Sequence, residues 1–232
     1  MGRTRIAYFD VDGTLTTGTS LFRFLDYYLS ATGHPPQAYQ QARQKLKAMT
    51  AMGVPREETN RAYFANLAGA HAADVTDLAQ EWFKSELAHG GYLNPHAVQA
   101  LSEHQAAGHV TVLVSGSFPA LLDPIAAHLG TDETWCTSPE ISHGRYTGQL
   151  AAPPVIGHRK ADIVLAAASA HRADVGECTG YGDHVSDLPM LETTGNAVVV
   201  GGDRELRRTA QVRGWRLLPS APPAPHLPRS NS

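Results

Sequence analysis

Short apolar runs alternate with helical patterns along most of the chain, and each run leads into a Gly-containing loop. The runs, which are rich in the β-branched and aromatic residues of buried strands, cover residues 6–11, 109–114, 175–181 and 197–200. The helical patterns between and beside them cover residues 95–107, 119–129, 160–171, 188–193 and 204–213. Strands that alternate with helices indicate a parallel sheet with helices on both faces. We therefore predict an α/β fold whose core is a doubly wound, Rossmann-like parallel sheet.

Residues 19–91 break this alternation. They contain no strand pattern, and helical patterns cover residues 21–29, 37–52, 56–67 and 73–87. In a doubly wound sheet ligands bind at the carboxyl ends of the strands, so helices inserted directly after the first strand would cover that site. The sequence thus predicts a core of residues 1–18 and 92–218 and an all-helical cap of residues 19–91.

Two segments of the second half lie outside the alternation. Residues 140–150 predict a small hairpin that turns at His143 and Gly144. Residues 219–232 are rich in Pro and Ser, which predicts a disordered tail.

Composition excludes several classes of function. With a net charge of -3 the chain has no basic footprint, so nucleic acid is not expected as a partner. No apolar stretch is long enough to span a bilayer, and the first apolar run is too short for a signal peptide. The two cysteines, Cys136 and Cys178, lie far apart and predict neither a disulfide framework nor a zinc site. We expect a cytoplasmic protein with a small-molecule partner and no membrane partner; the oligomeric state is not readable from the sequence.

The first strand ends in Asp10-Val11-Asp12-Gly13-Thr14. In an extended loop the carboxylates of Asp10 and Asp12 point roughly the same way, and Gly13 lets the backbone approach a phosphate closely. Paired acids suit covalent phosphoryl transfer, in which one attacks phosphorus while the other handles protons. A turn with two solvated acids is an alternative. A calcium loop is disfavoured because its Gly stands sixth, whereas this one stands fourth and follows a strand.

Two further motifs offer groups for a phosphate. Ser115 and Gly116 follow the second strand and open a helix, where a hydroxyl and free N–H groups form an anion site. Ser is also a common N-cap, which is the alternative. Lys160 would supply the cation that a carboxylate needs when it approaches a phosphate dianion, with Arg159 as a competing candidate.

The last motif, Gly180 to Asp187, places two acids four residues apart after a predicted strand. Asp183 and Asp187 suit Mg²⁺, which is bound through few carboxylates and several waters. The alternative for Asp187 is a simple helix cap, so Asp183 is the stronger candidate for direct metal contact.

Together DVDGT, VSGS, the Lys after GHR, and GYGDHVSD resemble the four motifs of the haloacid dehalogenase superfamily of phosphatases. The helical insert resembles the cap of the phosphoserine-phosphatase-like branch. The resemblance implies that Asp10 is the nucleophile and Asp12 the general acid and base. The groups expected to act on the phosphate, from the motifs and the resemblance together, are Asp12, Gly13, Ser115, Gly116 and Lys160.

The resemblance also implies a metal site and a substrate class. Mg²⁺ is expected on Asp10, Asp183 and the backbone carbonyl of Asp12, with Asp187 orienting the metal shell. Phosphoserine phosphatases carry a Glu nine residues beyond the nucleophile to meet the substrate amine, and Thr19 stands there in this chain.

We predict a Mg²⁺-dependent phosphatase that acts on a small phosphomonoester through an aspartyl phosphate on Asp10. Amino acid, amino alcohol and sugar phosphates all remain open as substrates. The candidate specificity residues at the starts of insert helices are Thr19, Arg23 and Arg56. A phosphotransferase or phosphomutase would use the same site. A receiver-type signalling domain is shorter and has no cap, and a non-catalytic phosphate- or metal-binding protein would not need the full set of acids.

Overall fold

The parallel sheet is the centre of the fold. A computed structural model describes residues 4–225. The strands in this part of the chain are β1 (Ile6–Phe9), β2 (Val110–Ser115), β3 (Glu133–Cys136), β4 (Pro139–Ser142), β5 (Arg145–Leu150), β6 (Thr179–Gly182), β7 (Asn196–Val200) and β8 (Arg216–Leu218). Six of these described strands form one sheet in the order β3-β2-β1-β6-β7-β8, with every pair parallel. Because the order reverses at the wholly buried β1, the sheet is doubly wound, which confirms the predicted Rossmann-like α/β core.

Helices connect the strands. Within residues 4–225 they are α1 (Ser20–Ala31), α2 (Pro36–Ala51), α3 (Arg56–Phe64), α4 (Ala72–His89), α5 (Pro95–Ala106), α6 (Pro119–Leu129), α7 (His158–Ala170), α8 (Leu188–Thr193) and α9 (Arg204–Arg213). Short 3₁₀ turns cover Ala65–Leu67, Val175–Glu177 and Val185–Asp187. Local signals set several starts: Pro stands in the first turn of α5 and α6, and the Asn94 side chain accepts a hydrogen bond from the His96 N–H at the start of α5. The predicted helices all form, with ends within two residues of the predicted ones except for that of residues 56–67, where the α-helix ends at Phe64 and the 3₁₀ turn Ala65–Leu67 follows.

The strands depart from the prediction at three places. The predicted strand at residues 175–181 starts only at Thr179, because the preceding residues form a 3₁₀ turn in which the Asp174 side chain accepts from the Gly176 N–H. Strands β3 and β8 were not predicted. Both are short, lie at the edges of the sheet and are partly exposed, so their sequences lack the continuous apolar run of a central strand.

The four helices α1 to α4 follow β1, as predicted for the insert. Their apolar side chains belong to the same continuous cluster as one face of the sheet. Phe118, at the start of α6, shows this most clearly, because its ring lies 6.3 Å from that of Phe24 in α1 and 5.5 Å from that of Phe64 in α3. The insert therefore packs on the sheet without a layer of solvent, and its description as a separate cap of residues 19–91 stays a prediction.

Strands β4 and β5 form the predicted hairpin, which turns at His143 and Gly144, both with positive φ. The hairpin also binds the insert. The Tyr146 N–H donates to the Ala70 carbonyl at 3.0 Å, and its carbonyl accepts from the Gly69 N–H at 2.8 Å. The hairpin thus anchors the segment between α3 and α4.

The segment after β8 corrects one prediction. The predicted disordered tail covers residues 219–232, but Ala224 is buried and its N–H donates to the Thr17 hydroxyl at 3.1 Å. The carbonyls of Ala224 and Pro225 accept hydrogen bonds from the Arg23 guanidinium at 3.0 Å and 2.8 Å. Disorder is therefore wrong for residues 224 and 225, while residues 226–232 lie outside the described range. In the part of the chain that is described, no helix combines the length and apolarity needed to cross a membrane.

Candidate active site

Asp10 lies directly after β1, at the carboxyl edge of the sheet. Its N–H donates to the Tyr181 carbonyl of β6 at 2.9 Å, which continues the pairing of the two central strands past the end of β1. The residue is only 6% exposed. The most buried strand of the sheet therefore fixes the backbone of the predicted nucleophile.

Lys160, in the first turn of α7, joins two of the predicted acids. Its Nζ donates to Asp10 Oδ1 at 2.5 Å and to Asp187 Oδ1 at 2.7 Å. Burial lowers the pKa of Lys160, but the charges of Asp10 and Asp187 outweigh that effect and hold the pKa above its ordinary value. The buried side chain is therefore a permanent cation beside the nucleophile. Arg159, the competing candidate, is instead half exposed and pairs with Asp162 at 3.6 Å.

Asp187 is fixed on both carboxylate oxygens. While Lys160 holds Oδ1, Oδ2 accepts from the backbone N–H groups of Asp183 and His184 at 3.2 Å and 3.1 Å. Burial alone would raise the pKa of Asp187, but Lys160 and these hydrogen bonds bring it below its ordinary value. The residue precedes α8 without a side-chain bond to that helix. Its main contacts thus orient the acid cluster.

Three carboxylates can share one cation. Oxygens of Asp10, Asp183 and Asp187 lie within 4.8 Å of one another. Burial, with the charges of the other two acids, raises the pKa of Asp183 to about 9. Burial also raises the pKa of Asp10 to about 7, although Lys160 opposes the shift. One ammonium does not offset these three carboxylates, of which Asp10 and Asp187 are buried and Asp183 is half-buried. Because carboxylate oxygens are ligands that Mg²⁺ prefers, the residues fit a divalent cation of this kind.

Asp12 lies outside the cluster of Asp10, Asp183 and Asp187. Its Oδ1 accepts from the Ser20 backbone N–H, at the start of α1, at 2.8 Å. Burial raises the pKa of Asp12, and the hydrogen bonds from Ser20 only partly oppose this. A carboxyl with a raised pKa holds a proton more readily, as a general acid must. The predicted metal contact of Asp12 through its backbone carbonyl stays a prediction.

Ser115 and Gly116 form the turn between β2 and α6. The Ser115 hydroxyl accepts from the Ser117 N–H at 3.1 Å, and the Gly116 carbonyl accepts from the Asn60 side-chain amide of α3 at 2.9 Å. The Ser117 hydroxyl lies 3.1 Å from that of Ser20. The turn is thereby tied to both α1 and α3, and it faces the same cavity as Asp10.

Gly13 makes room for Asp183. Its φ is +89°, and a Cβ built on it would lie 2.2 Å from Asp183 Oδ2. The neighbouring Thr14 hydroxyl donates to the other oxygen, Oδ1, at 3.2 Å. Glycine is thus required because the β1 loop crosses directly against the last motif.

A cavity of about 620 Å³ opens over these residues. The acids, Lys160, Ser115 and Gly116 line its floor, and residues of α1 to α3 line the opposite side. Of the three predicted specificity residues, Thr19 and Arg56 line it. The structure therefore brings together Asp10, Asp12, Ser115, Gly116, Lys160, Asp183 and Asp187, as the sequence predicts.

Arg23 is the exception, and its predicted role in substrate choice is corrected. Its guanidinium is buried and donates to both carboxylate oxygens of Glu86 in α4, at 2.8 Å and 2.5 Å. The same carboxylate accepts from Trp82 Nε1 at 2.9 Å. Arg23 therefore joins α1, α4 and the segment at Ala224, and it is not part of the cavity wall.

Sequence reasoning did not predict two contacts of the site. Ser20 binds Asp12 through a backbone N–H, and the only signal for this is that the first N–H groups of any helix are free to bind an acceptor. Asn60 of α3 donates to the carbonyl of Gly116, and predicting this contact requires knowledge of helix packing that the sequence does not carry.

Comparison with known proteins gives a consistent result. The sequence matches the family model of haloacid dehalogenase-like hydrolases over residues 7–192. It is 28% identical over 225 residues to a phosphoserine phosphatase of Mycobacterium tuberculosis, covering 92% of this chain and 70% of the relative. A solved structure of a Bordetella pertussis protein of unknown function superposes with a TM-score of 0.84 at 26% identity, over 94% of this chain and 99% of the other. A phosphoserine phosphatase structure described as a phospho-aspartyl intermediate analogue shares the fold, with a TM-score of 0.70 at 17% identity over 94% of both chains.

Proposed function

The chain belongs to the haloacid dehalogenase-like hydrolase family, in its phosphoserine-phosphatase-like branch, and is a hydrolase of phosphoric monoesters; from this premise we propose that it works through an aspartyl phosphate on Asp10. The observation that carries the proposal is the position of Lys160 Nζ, 2.5 Å from Asp10 and 2.7 Å from Asp187 in a buried site. A buried cation held against a carboxylate suits the approach of that carboxylate to a phosphate dianion.

In the first step a carboxylate oxygen of Asp10 attacks phosphorus. The new bond joins Asp10 to phosphorus, the bond from phosphorus to the ester oxygen breaks, and Asp12 donates a proton to the departing alkoxide. Lys160 offsets the charge on the phosphoryl oxygens. The N–H groups and hydroxyl of the turn at Ser115 and Gly116 bind the same oxygens at the start of α6.

In the second step water replaces the alcohol. Asp12, now ionised, takes a proton from a water molecule whose oxygen attacks phosphorus, and the bond between phosphorus and Asp10 breaks. Inorganic phosphate leaves and both acids return to their first state. The Ser20 N–H, 2.8 Å from Asp12, keeps this carboxyl oriented in both steps.

Mg²⁺ held by Asp10 and Asp183, with Asp187 orienting them, would supply positive charge beside the transferring phosphoryl group. Burial and the neighbouring acids raise the pKa values of Asp10 and Asp183, and a bound cation would oppose this shift. The predicted backbone contact of Asp12 belongs to the same proposal.

The substrate is proposed to be a small phosphomonoester held between the sheet and the insert. Arg56 lines the cavity and is exposed, so its charge can draw in a dianion. Water exclusion by the apolar insert would strengthen these interactions. The cytoplasmic location and the lack of a nucleic-acid partner stay predictions.

The test is phosphate release from a panel of small phosphomonoesters, with Mg²⁺ or with EDTA. We expect turnover only with the metal, and a loss on the order of 10³-fold or more in Asp10→Asn. Arg159→Gln, at an exposed neighbour of Lys160, is the control and should keep wild-type activity. Metal-dependent turnover that survives in Asp10→Asn would refute the proposed nucleophile.

A phosphotransferase would use the same first step. It is distinguished by adding an alcohol as acceptor: a hydrolase releases inorganic phosphate at the same rate, whereas a phosphotransferase forms a new ester at the expense of phosphate.

A further inference from the structure

The cavity extends well beyond the acids that would hold the phosphate. Its volume of about 620 Å³ lies in the range of pockets that enclose a whole organic ligand. The floor at Asp10 and Lys160 takes up only one end, and the rest is formed by the insert and by the loop before α7. If the proposed function holds, this second part binds the organic group of the substrate. The chemistry of its lining residues then indicates the chemistry of that group.

The second part of the cavity has an apolar wall beside the polar side chains of Thr50, Thr59 and Asn60. Its apolar lining residues are Leu21, Phe22, Leu46, Ala51, Val54 and Ile156. Leu21, Leu46 and Ile156 are buried, at 8%, 3% and 6% exposure, so they form a fixed wall rather than mobile surface groups. Such a wall gains free energy only from a group that itself prefers to leave water.

The acidic and basic side chains of the lining lie in different parts of the cavity. Its four acids are Asp10, Asp12, Asp183 and Asp187, and all belong to the phosphate and metal end. From the insert the described lining has two cations, Lys47 and Arg56, and no carboxylate. An ammonium on the organic group would therefore meet like charges and find no counterion.

Thr19 belongs to the same region. It lines the cavity, is exposed, and its side chain makes no capping hydrogen bond at the start of α1. A hydroxyl there offers a hydrogen bond but no charge to a substrate amine. A substitution at Thr19 can therefore place a carboxylate beside the organic group of the substrate without disturbing the helix.

We propose that the cavity selects a phosphomonoester of an apolar alcohol, with an alkyl or aryl group and no cationic centre. This deepens the proposed function and narrows the open substrate classes, since it places phosphorylated amino acids and amino alcohols below apolar esters.

The first experiment compares kcat/KM for ethyl, butyl and hexyl phosphate, and for propyl phosphate against phosphoethanolamine, which has nearly the same shape but carries an ammonium. Each methylene that enters the wall should raise kcat/KM about threefold, and hexyl should exceed ethyl by at least about 30-fold. Propyl phosphate should exceed phosphoethanolamine by about tenfold or more. A flat alkyl series, or a preference for phosphoethanolamine or phosphoserine, would overturn the inference.

Two sets of variants locate the effect. Val54→Asn should reduce the hexyl-to-ethyl ratio several-fold, whereas Met52→Asn, in the same loop at a residue that is 73% exposed and outside the cavity wall, should keep the wild-type ratio. Thr19→Glu should raise the phosphoethanolamine-to-propyl ratio about tenfold relative to the uncharged Thr19→Gln. If Val54→Asn does not fold, the Thr19 pair decides, and equal ratios in Glu and Gln variants count against the proposed lining.

The failure of this inference is distinct from failure of the proposed function. Hydrolysis of ethyl phosphate that is lost in Asp10→Asn, combined with a flat alkyl series, would leave the phosphatase mechanism intact and remove the apolar preference. Absence of phosphate release from every ester in the panel would contradict both.

Discussion

Gly13 shows how the absence of one side chain makes room for Asp183, a proposed metal ligand. Its loop crosses so close to the last motif that a Cβ would lie 2.2 Å from Asp183 Oδ2. No rotation of a methyl group relieves such a contact, so the carboxylate itself would have to move. Gly13 thus allows the loop after β1 to pack directly against Asp183.

We predict that Gly13→Ala lowers kcat/KM by at least about 100-fold and weakens Mg²⁺ binding while the protein still folds. The matched control is Gly53→Ala, whose φ of +75° is equally strained for alanine but whose Cβ would meet nothing within 4 Å. Both variants lose on the order of 1 kcal/mol of stability from the positive φ, and only the first should lose activity. Equal activity in the two variants would contradict the assigned role of Gly13.

The acid cluster predicts how stability of the metal-free protein depends on pH. Folding raises the pKa of Asp183 from 3.8 to about 9 and that of Asp10 from 3.8 to about 7. The folded protein therefore binds more protons than the unfolded chain from about pH 4 to pH 9, and stability falls as pH rises through this window. The midpoint of thermal unfolding in EDTA should drop between pH 5 and pH 9, and Mg²⁺ should restore it most at high pH.

Asp183→Asn serves as the control for that prediction. It removes the largest upward shift in the cluster, so the slope of stability against pH should become flatter in EDTA. An unchanged slope would mean that other groups cause the pH dependence.

At this scale the sequence predicts acids and Lys160 well, because each follows a strand or opens a helix at the same edge of the sheet. It fails for Arg23. The residue stands at the start of the insert like Thr19, yet its partner Glu86 lies 63 positions further along the chain, and only the packing of α1 against α4 brings them together.

The ion pair between Arg23 and Glu86 joins three elements. It connects α1 and α4, and the guanidinium also binds the carbonyls of Ala224 and Pro225. Both side chains are almost wholly buried, at 7% and 2% exposure. A buried ion pair adds little to the free energy of unfolding, but loss of one partner leaves the other charge buried without a counterion.

Arg23→Met should therefore lower the free energy of unfolding by about 3–5 kcal/mol, measured in urea. The double variant Arg23→Met with Glu86→Leu should recover most of this loss, since no buried charge remains. If the double variant is as unstable as the single one, the guanidinium acts mainly through the carbonyls of the 224–225 segment.

Elements were predictable where their pattern was long or central. The insert helices and the strands β1, β2 and β7 follow from periodicity and apolar runs. The edge strands β3 and β8 have four and three residues and partly exposed side chains, so nothing in their sequences separates them from loops.

At the scale of the whole molecule, the insert and the sheet share one apolar core beside the cavity. One apolar cluster runs from β1 through α6 into α1, α3 and α4, with Phe24, Phe64 and Phe118 in ring contact. The sequence predicted two regions because the periodicity changes at residue 19. It could not predict the shared core, because the contacts join residues far apart in the chain.

A shared core predicts cooperative unfolding. Trp82 of α4 is wholly buried in the insert, whereas Trp135 and Trp215 lie in the α/β core. In a variant with Trp135→Phe and Trp215→Phe, fluorescence therefore reports on the insert, while circular dichroism reports on the whole molecule. The two urea transitions should coincide within error. A Trp signal that changes at a clearly lower urea concentration would show that the insert unfolds on its own.

The most direct test of the mechanism is whether Asp10 becomes phosphorylated. With ³²P-labelled nitrophenyl phosphate, whose leaving group needs no proton from Asp12, Asp12→Asn should accumulate label in the presence of Mg²⁺ because it lacks the base for the second step. After rapid acid quenching, peptide mapping should place that label on Asp10. Label at another residue, or turnover by the wild type with no labelled protein in either enzyme, would contradict an aspartyl phosphate on Asp10.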